Sequence, residues 1–409
     1  MKLLVYEHVS GGGYAGHPLD PNVLSEGFGM LRSFVEDLKA AGHEVTVLLD
    51  ARLSKLNPPL AADCIVPVFV TEIEKSFINA AEINDAVYVI APETDQTLES
   101  LVKSVGKTGK LSLNCEANAI QSVADKMVLY ETIKHRGLCA PETLIFDVCS
   151  NLVEVKLQIK NKLGYPAVFK PTDGVSCGGL SIVEEESQVQ SAVAKIRAVS
   201  SQKNFIVQEF IRGEAVSVSL LCTDSKALAI SLNKQKIQLT QPDASSTYEG
   251  GTVPFEHPLK SKAFRLAERT VESFPGLRGY VGVDLVLTEN KSFVVDVNPR
   301  LTTSYVGLSR IGSFNVAEAM VKAVLKNTIP ADRESKGWVY FSKVKTSKPS
   351  LSKFRKASQI AGVISPPFPQ DDKSDAVALV AGRGESMPEA QIRFEEAKKR
   401  LLNIISGES

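Results

Sequence analysis

The chain has 409 residues, enough for two or three domains, and its 47 basic residues balance 47 acidic ones. No overall field therefore draws it to nucleic acid or to a membrane surface. With 44% hydrophobic and 23% charged residues the composition is globular, no apolar run approaches the roughly 18 residues of a membrane span, and six scattered cysteines without C-x-x-C pairs read as reduced thiols of a cytoplasmic protein.

The opening MKLLVYEHV is charged too soon for a signal peptide and alternates as a first strand does. KLLVYEHV, EVTVLLD, CIVPVFV and AVYVIAP are short, β-branched runs separated by helix-length segments such as LSEGFGMLRSFVEDLKAAG. That alternation predicts a doubly wound, Rossmann-like parallel sheet over residues 1–120. Within it Gly11, Gly13 and Gly16 fit G-x-G-x-x-G, yet Pro18 and Pro21 delay the helix to about Asn22, and the next strand-end acid, Asp50, comes 34 residues after Gly16. Both departures argue against a dinucleotide site. Gly11 and Gly12 are instead candidates for a substrate wall at the carboxyl edge of the first strand, where ligands gather, with a plain turn as the alternative. Tyr6, Tyr14 and Phe28 are candidates for an apolar wall or for core.

A helical stretch from about Glu116 to Arg136 ends at Gly137, a suitable residue just beyond a helix. YPAVFKP is a strand ending at Lys170, and TDGVSCGGLSIV is a glycine-rich hairpin. Gly174, Gly178 and Gly179 let backbone N–H groups approach phosphate, and Cys177 reads as a spacer. FIVQEFIRGEAVSVSLL is a strand pair broken at Arg212-Gly213, and YEGGTVP offers Gly250 and Gly251 as further N–H donors for a carboxylate.

GYVGVDLVL and SFVVDVNP form another pair, with Asp284 and Asp296 on successive antiparallel strands. Asp296, Asn298 and Arg300 alternate, so they project from one strand face. Hard oxygen ligands of this kind suit Mg²⁺ or Mn²⁺ bound with phosphate and water, and Arg300 is placed to offset charge on a transferring phosphoryl group. The alternative is a structural Asp296–Arg300 ion pair. After Pro330 the texture changes to a basic run from Lys343 to Arg355, read as a solvated face. A proline patch, a strand DAVALVAGRG and a helix from about Pro388 to Ile405 follow. The five histidines show no metal spacing and read as surface or loop residues.

Four segments in order, ADKMVLYETIKHRGLCAPET, YPAVFKPTDGVSCGG, VQEFIRGEAVSVS and GVDLVL…FVVDVNPR, resemble the ATP-grasp family. The resemblance implies an ATP-grasp fold over residues 121–330, with residues 165–208 as a mobile lid, after the Rossmann-like domain and before a small α+β region at 331–409. It further implies that Lys126 and Lys170 reach the phosphates of ATP and that Gln208, Glu209, Phe210 and Ile211 form the hinge that reads adenine. Glu209 or Glu214 would serve the ribose, and Asp284, Asp296 and Asn298 the metal. The family usually carries Glu where Asp296 stands, which leaves one or two metal ions open. YEHVSGGG, YEGGTVPFEH and NPRLTTS look similar to the family's carboxylate–amine ligases. An ATP-dependent ligase is therefore expected, joining an amino-acid carboxylate such as glutamate to an amine such as tyramine through an acyl phosphate. Thr303 and its neighbouring hydroxyls would stand beside the reacting carboxylate. A bicarbonate-activating carboxylase and a non-catalytic ATP sensor remain alternatives. Small molecules are the expected partners, with no nucleic acid, no membrane and room for a homodimer.

Overall fold

The computed structural model describes residues 1–173, 177–331, 333–369 and 374–407; Gly174 lies outside them. The first sheet is parallel, built from β1 (Lys2–Glu7), β2 (Glu44–Asp50), β3 (Cys64–Val68), β4 (Ala86–Ile90) and β5 (Leu111–Ser112) in the order β3-β2-β1-β4-β5. Its central strands are buried along almost their whole length because helices cover both faces. The helix Pro21–Ala40 starts where Asp20 accepts from Asn22 N at 2.8 Å and proline fills the first turn. The prolines thus delimit the helix, since the first turn does not need their missing N–H.

A second, antiparallel sheet contains β6 (Thr143–Asp147), β7 (Ala167–Pro171), β8 (Ser181–Val183) and β9 (Asn204–Glu209) in the order β6-β9-β7-β8. It has its own small core around Phe146, Phe169 and Phe205. The remaining strands are β10 (Glu214–Cys222), β11 (Ala227–Gln238), β12 (Thr247–Val253), β13 (Gly279–Leu287), β14 (Ser292–Asn298), β15 (Trp338–Ser347), β16 (Val363–Pro369) and β17 (Asp375–Gly384). They form one antiparallel sheet ordered β14-β13-β10-β11-β12-β15-β17-β16. This sheet continues without interruption from the strands before residue 330 to those after it, through the β12–β15 ladder.

Two local expectations change. The helix predicted from Glu116 to Arg136 is two helices, Ala117–Ala124 and Lys126–His135. Asp125 leaves the helical region (φ −77°, ψ 102°) and its carboxylate accepts from Met127 N and Val128 N, so the cap outcompetes continuation. The strands on either side of Arg212-Gly213 do not pair with each other, because the chain crosses there from the second sheet to the third. A Cβ on Gly213 would collide with the Leu287 carbonyl oxygen, which explains the glycine. Of its two readings, wall or core, Phe28 takes core: it is fully buried, edge-on to Phe368 at 5.1 Å, and helps join the first long helix to the C-terminal strands.

Candidate active site

Four charged side chains from three regions of sequence meet beside β13 and β14. Lys126, at the start of its helix, places Nζ 2.9 and 2.7 Å from the two oxygens of Asp296. Lys170, at the end of β7, donates to the Val295 carbonyl oxygen at 3.1 Å. Asp296 faces Asp284 directly across the β13–β14 ladder. Asp284 is satisfied by amides, accepting from Gln235 Nε2 and Asn298 Nδ2, each at 3.0 Å.

The electrostatics of this group follow from enclosure. Burial, aided by repulsion from Lys126, lowers the pKa of Lys170 to about 8, against the pull of Asp296 and Asp284. Burial, with repulsion from Asp296, raises that of Asp284 to about 6. A lysine reluctant to hold its proton and a carboxylate reluctant to lose one gain from a bound polyanion and a bound cation respectively. Asp284, Asp296 and Asn298 fit a divalent ion: two carboxylates stand across one ladder, and the Asn298 amide oxygen stays available while its Nδ2 serves Asp284. Among the described residues no cluster of three or more His, Cys, Asp or Glu forms an alternative metal site.

Arg300 does not pair with Asp296, so the structural alternative for that pair is absent. Its Nη2 instead donates to Glu93 Oε2 at 3.0 Å, and both side chains are largely buried. Arg300 Nε and Glu93 Oε1 remain without partners. Glu93 lies in the loop after β4, which also grips the base of the glycine hairpin. Thr94 Oγ1 donates to the Asp173 carbonyl oxygen and Ser201 Oγ to Asp95 Oδ1, each at 3.0 Å. In the hairpin, Gly178 is exposed, whereas Gly179 (φ +71°) packs against Val199 and Pro171. Cys177 also holds a positive φ of 64°.

Gln208 and Glu209 end β9, and Phe210 and Ile211 lie in the crossing to β10. The Gln208 side chain turns inward onto Thr143 Oγ1 at 2.8 Å, and Glu209 N donates to the Glu142 carbonyl oxygen. Glu214 opens β10, paired with Lys234 at 3.2 Å. The proposed N–H donors fare less well. Gly250 and Gly251 are locked into ladders with β11 on one side and β15 on the other, so strand pairing consumes their backbones. Gly11 N donates to the Glu7 carbonyl oxygen at 2.7 Å, so it too is spent, while Gly12 holds φ +99° against Val68. Tyr6 is buried against Phe77; Tyr14 is 39% exposed and edge-on to His8. His8 lies in the turn after β1, a loop residue as read, and is partly buried; burial lowers its pKa to about 4, so it is neutral near pH 7.

Thr303 donates to Glu26 Oε2 at 2.9 Å, and the other oxygen of Glu26 holds Lys343. Lys343 therefore leaves the predicted solvated face and points inward. Glu26, Lys343 and Gln235 had no sequence signature as site residues, because each becomes part of this region only through packing between distant segments. Glu93 alone carried a usable hint, lying just beyond a parallel strand's carboxyl end.

Residues 123–304 match the ATP-grasp domain family and residues 43–120 match the pre ATP-grasp 3 domain. A tyramine–L-glutamate ligase of Methanocaldococcus fervens is 32% identical over 251 residues, covering 61% of this chain and 70% of that protein. The Methanocaldococcus jannaschii ligase of the same name is 27% identical over 328 residues, covering 78% and 88%. In structure, an ATP-grasp superfamily protein of Archaeoglobus fulgidus superposes with a TM-score of 0.63 at 22% identity, over 93% of this chain and 99% of that one.

Proposed function

Because this chain belongs to the ATP-grasp family, and is an ATP-dependent ligase forming carbon–nitrogen bonds, we propose that it joins glutamate, or a close relative, to a primary amine such as tyramine. The observation that carries the ATP chemistry is the meeting of Lys126 and Lys170 with Asp284 and Asp296 in one enclosed site. The choice of acid and amine rests on the activity named for the Methanocaldococcus relatives.

In this reading Lys170 and Lys126 hold the phosphates, with Gly178 of the hairpin above them. Gln208 to Ile211 line the adenine side, and Glu209 or Glu214 takes the ribose. Asp284, Asp296 and Asn298 would hold Mg²⁺ or Mn²⁺, which when bound neutralises phosphate oxygens. A carboxylate oxygen of the acid attacks the γ-phosphorus as the bond to ADP breaks, giving an acyl phosphate. The neutral amine then attacks the acyl carbon, inorganic phosphate leaves, and the nitrogen sheds its proton to solvent. No side-chain nucleophile is required, so the protein contributes positioning and charge stabilisation. Arg300, three residues before Thr303, serves the transferring phosphoryl group, and Glu93 fixes its position. Residues 165–208 act as a lid that keeps water from the acyl phosphate.

The test is incubation with ATP, magnesium, labelled glutamate and a panel of amines that includes tyramine, followed by mass spectrometry. The expected product is the glutamyl amide with stoichiometric ADP. ADP release that requires bicarbonate and forms no amide would overturn the reading.

A further inference from the structure

A second charged group lies next to the metal carboxylates and is not used by the ATP chemistry. Glu26, on the helix Pro21–Ala40, pairs with Lys343 of β15, and both side chains are almost completely withdrawn from solvent (10% and 14% exposed). Thr303 completes the coordination of Glu26. The pair is not remote. Tyr248, on β12, feels the charges of both Glu26 and Asp284 and engages Ser304, the residue after Thr303. Cys177, in the glycine hairpin, feels Glu26, Asp284 and Lys343. The Ser304 and Ser217 hydroxyls meet at 3.2 Å and Ser217 faces Asp284 across the β10–β13 ladder, so the pair lies on the side of Asp284 reached by the chain beyond Arg300.

A buried ion pair is a poor stabiliser, since desolvation of two charges offsets their attraction and an apolar pair of similar size packs as well. Its position between the first sheet's helix and the C-terminal strands already has an apolar joint in Phe28 and Phe368. The chemistry of a zwitterion supplies another reason for the pair. Whichever carboxylate of glutamate is activated, an ammonium and a second carboxylate remain, and both need partners when desolvated. An ammonium–carboxylate pair can open and exchange partners with them at no net change in charge.

Building on the ligase reading above, we infer that Glu26 and Lys343 form the subsite for the unreacted end of the amino-acid substrate, Glu26 taking its ammonium and Lys343 its remaining carboxylate. Thr303 orients Glu26, and the C-terminal strands contribute to substrate choice through Lys343.

The test compares kcat/KM for glutamate, glutarate (no ammonium) and the aminobutyrates (no second carboxylate; the 4- and 2-amino isomers cover activation at either end). The full chain is assayed as wild type, Glu26→Gln and Lys343→Gln. Ratios are read within one protein, so any loss of folded material cancels. Glu26→Gln is expected to reduce the preference for glutamate over glutarate at least tenfold while leaving the preference over aminobutyrate. Lys343→Gln should do the converse, and Lys343→Arg should restore the preference over aminobutyrate. If both Gln variants lower every substrate by one factor, the pair is structural and the inference is overturned. If wild type couples no amino acid at all, the ligase reading itself falls, which is a separate outcome.

Discussion

Lys126 Nζ lies within 2.9 Å of both oxygens of Asp296, a residue 170 positions later in the chain. The contact ties the first turn of one helix to the strand that carries the metal candidates, and it neutralises one of two facing carboxylates. Removing only one partner leaves an uncompensated charge in an enclosed site. Lys126→Met should therefore cost about 2–4 kcal/mol of stability and raise the KM for ATP. Lys126→Met combined with Asp296→Asn should recover most of the stability and none of the turnover. Denaturant titration and ADP release measure the two effects; a double variant as unstable as Lys126→Met alone would show that the pair does not act as a unit.

Asp284 should show activity traded against stability. Its folded pKa lies near 6, above the ordinary 3.8, so the native state resists ionisation and the penalty develops as pH rises from about 4 to about 6. Asp284→Asn should remove it, stabilising the fold by up to about 3 kcal/mol at pH 7, with no gain below pH 4. Turnover should be lost. A variant that is inactive and also less stable at pH 7 would contradict this account of the carboxylate.

The same groups set a pH profile. If Asp284 holds the cation as proposed, cation binding should fall below about 6, where Asp284 takes a proton. If Lys170 holds phosphate as proposed, that hold should fall above about 8, where Lys170 loses its proton. The kcat/KM for ATP should therefore be bell-shaped, with limbs near those values. Lys170→Arg should move the alkaline limb out of the measurable range, because a guanidinium stays protonated; an unchanged limb would assign it to another group.

The glycine hairpin should tighten on nucleotide. Its base is held by Thr94 and by the Ser200 hydroxyl, which reaches Asp173 Oδ1 at 3.0 Å. Hydrogen exchange at Leu180 to Val183 should slow when ATP and magnesium are added. Asp173→Ala should speed exchange in the free protein and raise the KM for ATP. Equal protection with and without nucleotide would argue against a closing lid.

Beyond the family resemblance, which supplied the order of the four ATP-grasp segments and Lys126, the amino-acid sequence alone determined the alternation that yields a parallel sheet and the identities of Lys170, Asp284 and Asp296 as the charged groups of interest. Such features are local: strand periodicity, a lysine ending a strand, and acids on adjacent strands of a short hairpin are all readable within a dozen residues. Tertiary structure alone decided partnership. Asp296 took Lys126 rather than the nearby Arg300, Arg300 took Glu93 from the first sheet's edge, and Lys343 left a basic surface run to meet Glu26. Gly250 and Gly251, which read as free donors in a loop, became strand because β15 arrived from beyond residue 330 to pair with them. Desolvation is the common reason. A charge or an N–H withdrawn from water must find a partner, and which partner is near depends on how distant segments pack.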